Sequence, residues 1–111
     1  MLESLFGTPI IEKVLFFLIT NKKCYPSQLK GVFQAHLYSF QRALARLEKG
    51  SIIVSYREGK TLFYEFNPRY PFFTELKDFL QKAYESLPQE MRDKYYEPSL
   101  RKRPRRQGKP L

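Results

Sequence analysis

LYSFQRALARLEKGSIIVSYREGKTLFYEF, residues 37–66, holds three patterns in succession. Leu37, Phe40, Leu44 and Leu47 recur at three- and four-residue steps, which puts them on one face of a helix. Tyr38, Ser39, Gln41, Arg42, Arg46 and Lys49 fall between them and make the opposite face polar and basic. Gly50 stands where a left-handed residue ends a helix at little cost. Two β-rich runs follow, Ile52 to Arg57 and Thr61 to Phe66, joined at Glu58-Gly59-Lys60, where the glycine supplies turn geometry. Helix, stop, then hairpin with a basic tip is a unit built to hold one helix face outward.

Working outward, Thr8-Pro9 opens an earlier helix, with Thr as cap and Pro at the first helical position. Ile10, Ile11, Val14, Leu15, Phe17, Leu18 and Ile19 make it apolar nearly all round, so it needs partners on more than one side. Asn21-Lys22-Lys23 breaks it, leaving room for a very short strand at Cys24-Tyr25. A short helix from Pro26 to about Phe33 and a turn at Gln34-Ala35-His36 lead into the helix at 37. After the hairpin, Asn67-Pro68 ends the extended geometry. A last long helix is predicted from Pro71 to Ser86, with Phe72, Leu76, Phe79, Ala83 and Leu87 stepping by four, three, four and four. The pattern predicts an α+β, mostly helical chain: a winged helix-turn-helix of three core helices and a β-hairpin wing, with a long C-terminal dimerisation helix. That unit spans residues 1–87, a short helical extension 88–97, and a basic disordered tail 98–111. The seam predicts a homodimer through Ile11, Leu15 and Leu18 with Phe72, Leu76, Phe79, Leu80 and Ala83; its alternative is that the last helix packs back on the first.

The chain has 111 residues, 42% of them hydrophobic, which suits one globular domain with a core of its own. A single cysteine excludes an intramolecular disulfide and any multi-cysteine metal site. The longest apolar run, Val14 to Ile19, is far below the roughly 20 residues that span a bilayer, so the expectation is a cytoplasmic protein without membrane contact. Net charge is +9, and Arg101, Lys102, Arg103, Arg105, Arg106 and Lys109 give the tail +6 of it. Such a distribution points to a polyanionic partner, with a solubilising tail as the alternative.

LFGTPIIEKVLFFLITNKKCYPSQLKGVF together with SFQRALARLEKGSIIVSYREGKTLFYEFNPRYPFFTELKDFL resembles the ArsR-like winged-helix transcriptional regulators. The likeness is strongest to their small metal-independent branch, some of which sit beside or are fused to nucleotidyltransferase domains. Leu5-Phe6-Gly7, Arg46-Leu47-Glu48-Lys49, Gly59-Lys60, Phe63-Tyr64 and Asn67-Pro68 carry it, over about residues 2–87. In the family the turn before the recognition helix usually has a glycine and then a Ser or Thr cap; here Gln34 and His36 stand there, which predicts a wider turn or a weaker cap. The glycine expected before the first wing strand falls at Ser51, with Gly50 one place early. The metal-sensing cysteine motif is missing, so the resemblance implies no bound metal and no cofactor.

The resemblance implies double-stranded DNA as partner, because the major groove admits one α-helix and exposes a distinct donor and acceptor pattern for each base pair. On that reading Arg42 takes a guanine edge and Gln41 an adenine edge, Tyr38 and Ser39 reach bases or phosphates, and Arg46 meets the backbone. The alternative is an ordinary solvated helix face. Arg57 and Lys60 flank the wing turn, with Glu58 opposing them. Arg101, Arg103, Arg105 and Arg106 are read as a basic arm along the backbone or in the minor groove, or as nonspecific attraction only. The aromatics sit at core-like spacing, and Cys24 and His36 read as a small buried residue and a turn residue. With no phosphate-binding glycine loop, no HExxH and no nucleophile elbow, the chain reads as a non-enzyme. The competing class is a winged-helix module that binds protein instead of DNA.

Overall fold

The computed structural model describes residues 1–98. Its elements are α1 (Glu3–Phe6), α2 (Pro9–Asn21), β1 (Lys23–Cys24), α3 (Pro26–Phe33), α4 (Leu37–Lys49), β2 (Ile53–Glu58), β3 (Thr61–Phe66), α5 (Phe73–Glu85) and α6 (Gln89–Met91), the last running into a π-helical turn at Arg92–Tyr96. This is the winged helix regulator fold, α+β with a three-stranded antiparallel sheet. The sheet order is β1-β3-β2. Lys23 and Cys24 pair with Glu65 and Tyr64 and so tie the end of α2 to the wing. The hairpin register runs from Ile53 opposite Phe66 to Glu58 opposite Thr61, leaving Gly59-Lys60 as a two-residue turn. Gly59 has φ 62, the sign that a type II′ turn asks of its first central residue.

Thr8 caps α2 by accepting the Ile11 N–H at 3.3 Å, and Pro9 occupies the first helical position. The helix is the centre of the core. Val14, Leu15, Phe16, Phe17 and Leu18 are all buried on it. The second partner that its apolar circumference demands is the C-terminal segment: Phe16 meets Tyr84 and Tyr96 edge-on, each at 5.8 Å between ring centroids. Asn21 donates to the Tyr96 carbonyl at 2.9 Å, and the Tyr84 hydroxyl donates to the Glu97 carboxylate. Burial, and next the bond to Glu97, hold the Tyr84 phenol above its ordinary range.

This packing corrects the dimer seam. Ile11, Leu15, Leu18 and Leu80 are each 4% exposed or less within the single chain, so they are core residues and not free to meet a partner. Periodicity marks a face as apolar without saying what covers it, and here α2, α5 and the π-helical turn cover one another. Leu76 and Ala83 are half-buried against the same core, while Phe72 and Phe79 remain 63% and 42% exposed. The last helix starts at Phe73, two residues later than predicted.

The stop after α4 also differs. Gly50 has φ −81 and an ordinary backbone; the left-handed residue is Ser51, at φ 64. Ser51 N–H reaches the Glu48 carbonyl at 2.9 Å and Ile52 N–H the Leu47 carbonyl at 3.0 Å, the paired bonds of a Schellman cap with serine in the position glycine favours. Asn67 secures this junction by donating from its side chain to the Ser51 carbonyl and from its backbone to the Ile52 carbonyl, both at 2.9 Å. At the turn before α4, Gln34 adopts the left-handed conformation at φ 53, a geometry that glycine takes most freely. His36 precedes the helix without a side-chain bond to its end, the weaker cap that the sequence predicts there.

Candidate nucleic-acid interface

Phe40, Ala43, Leu44 and Leu47 turn one side of α4 into the core. At 3.6 residues per turn the direction opposite is taken by Tyr38, Arg42, Ala45 and Lys49, a ridge of four- and three-residue steps. All four are exposed, Tyr38 by 66%. The Arg42 guanidinium lies 5.7 Å from the Tyr38 ring centroid, so the ring supports the cation one turn away. The sequence-predicted set left out Ala45, although the step that found the buried seam also finds this ridge.

The other predicted residues divide to either side. Ser39, half-buried, and the exposed Arg46 face the start of α2, where with Arg42, Thr8 and Ile10 they border a hollow of about 370 Å³. Arg46 folds far enough that its Nη1 lies 3.9 Å from the place a Cβ on Gly7 would occupy. Gln41 lies on the opposite flank, in a cleft of about 280 Å³ that it shares with Lys60 of the wing turn and Ser27 of α3. Arg57 and Lys60 are both exposed. Arg101, Arg103, Arg105 and Arg106 lie outside the described residues.

Glu58, which was expected to oppose the basic wing tip, is instead paired with Lys23 at 2.7 Å. The same ammonium stands 4.4 Å from the Phe63 ring centroid, and Phe63 contacts Tyr25 and Tyr56. The pair joins β1 to the wing and spends Lys23 on structure. No ion pair among the described residues involves Arg42, Arg46, Arg57 or Lys60. Glu48 on α4 accepts the Ser55 hydroxyl at 2.6 Å and so fastens α4 to the wing. The arrangement leaves unpaired cations on one helix ridge and one hairpin tip, held in fixed relation to each other.

Elsewhere the surface offers less chemistry. No three His, Cys, Asp or Glu side chains gather to hold a metal among the described residues. Cys24 is fully buried, and that burial pushes its thiol up to about 12. No described helix is long and apolar enough to cross a membrane.

No family model matches the chain, and no curated protein matches it. Among solved structures, the chain is similar in fold to a mutant of ZitR from Lactococcus lactis in apo form. That likeness has a TM-score of 0.52 at 13% identity and covers 95% of this chain and 83% of the other. It shows the fold.

Proposed function

We propose that this chain is a sequence-specific double-stranded DNA-binding transcriptional regulator of the ArsR-like, metal-independent kind, acting as a homodimeric repressor on a near-palindromic operator. The observation that carries the reading is the ridge of α4. Tyr38 and Arg42 stand exposed near the N-terminal end of the helix, while the wing and α3 flank it and no acid pairs with Arg42. A helix so presented fits a major groove, and two of them related by a twofold axis meet half-sites one helical turn apart. The repressor role comes from the resemblance. The dimer would use the apolar groups that the fold leaves outside, Phe72 just before α5 and Phe79 on it, with Leu5 on α1. Arg101, Arg103, Arg105 and Arg106 would add backbone contacts and salt dependence.

Arg42 and Arg46 give the test. Arg42→Ala is expected to weaken binding to the cognate duplex by about 1–3 kcal/mol while leaving random-sequence binding nearly unchanged. Arg46→Ala should weaken both alike, because a backbone contact carries no sequence information. Titration of both variants on both duplexes measures this, and equal losses in all four cases would sink the assignment.

A further inference from the structure

We propose, building on the DNA-binding reading, that Ser27, Gln41, Lys60 and Thr61 form a seat for one phosphate of the DNA backbone, and that Gln41 is a phosphate-positioning residue and not a reader of adenine. The four side chains come from the N-terminus of α3, the flank of α4, the wing turn and the first residue of β3, yet they line one cleft of about 280 Å³. Tyr25 and Leu37 form its apolar walls, and no acidic residue lines it. The acid nearest in sequence, Glu58, is held by Lys23 at 2.7 Å, which leaves the Lys60 ammonium as the charge of the turn.

The chemistry of the lining suits a tetrahedral anion. Pro26 brings no amide hydrogen to the start of α3, so Ser27 presents the first N–H of that helix together with its hydroxyl. The Tyr25 N–H is already used by the Gln28 side chain at 3.3 Å. Thr61 adds a second hydroxyl, Gln41 an amide donor and Lys60 the charge that a phosphate oxygen attracts. Ser27 also borders a larger hollow of about 680 Å³ along α3, with Lys30, Gln34 and His36 on its rim and again no acid. A strand leaving the seat would therefore pass along a surface of donors. A base edge, in contrast, is reached from the ridge of Tyr38 and Arg42, neither of which lines the cleft. The seat would fix how deep and in what register α4 enters the groove.

The test is a methylphosphonate scan of the duplex that the full chain selects, in which one phosphate charge at a time is removed. Wild type, Ser27→Ala, Gln41→Ala and Lys60→Gln are each titrated on every duplex, with thermal melting of the free proteins as a check on folding. One phosphate per half-site should cost wild type about tenfold when neutralised and cost Lys60→Gln threefold or less, since that partner is already lost. Lys60→Gln should also lower the slope of log affinity against log salt by about 1. Gln41→Ala should weaken cognate and random duplexes by the same factor. If the variants and wild type lose the same factor at every phosphate, or if Gln41→Ala changes which base is preferred, the seat is overturned while the DNA-binding reading stands. A wild-type protein that selects no duplex would overturn that reading, and the seat with it.

Discussion

α2 and α4 are both helices of 13 residues, and they are opposites. α2 buries Ile11, Glu12 and every residue from Val14 to Leu18, and neighbours wrap it on all sides. α4 buries a single stripe of four side chains and leaves most of the rest to solvent. The contrast shows how one short chain can hold an exposed, basic helix face still. The helix that is covered all round supplies the cohesion, and the helix that lies on it needs only one apolar stripe to be fixed in place. Charges on the outer ridge of α4 can then change without touching the core.

The largest blow to this division would fall on α2. Phe16 is fully buried and meets two tyrosine rings, so Phe16→Ala should cost about 3–5 kcal/mol of unfolding free energy in chemical denaturation. On the α4 ridge, Arg42→Ala should move stability by less than about 0.5 kcal/mol. A similar loss from both would mean that the ridge is part of the core after all.

Cys24 sharpens the same contrast through pH. Its thiol ionises near 9.0 when free and near 12 in the fold, because burial disfavours the thiolate. The unfolded chain therefore gives up this proton first. The contribution to stability is complete below pH 9 and is lost as pH rises toward 12. Denaturation midpoints followed from pH 8 to pH 11 should fall, and the fall should be smaller in Cys24→Ala. At pH 8 the native thiol should react with a disulfide reagent far more slowly than the denatured one.

A small effect is expected at the joint between α4 and the wing. Ser51 holds a left-handed conformation that only glycine adopts freely, so Ser51→Gly should raise stability by up to about 1 kcal/mol. Gly50→Ala should not show the large strain penalty of a left-handed site, because Gly50 has a negative φ and the nearest atom to an added Cβ is 3.7 Å away. Thermal melting of the two variants compares them directly.

Much of this was legible in the residues. The four- and three-residue steps of Leu37, Phe40, Leu44 and Leu47 gave α4 its extent, and Thr61–Phe66 is the third strand as read. The same periodicity misassigned Ile11, Leu15, Leu18 and Leu80, because an apolar face looks alike whether its own chain or a second copy covers it. Ser51 was hidden for a different reason: the left-handed position of a Schellman cap is set by backbone hydrogen bonds, and a glycine one place earlier was the stronger local signal. α1 is four residues long, too short for any period to show. A short strand was expected one residue later, at Cys24-Tyr25, but its partner β3 lies some 40 residues away, and no local pattern encodes that pairing. In the candidate interface, residue type and spacing found the cations. They did not show that Gln41 belongs to the wing side and Arg46 to the α2 side, which depends on where the neighbouring elements stand.

The central claim is that α4 reads base sequence. Selection of binding sites from a random duplex library, with the full chain as bait, tests it most directly. The account predicts enrichment of an inverted repeat whose half-sites lie about one helical turn apart, and loss of that enrichment in Arg42→Ala. A library that emerges without any enriched sequence, with weak binding that fades steeply as salt rises, would contradict it and favour a winged helix that binds protein.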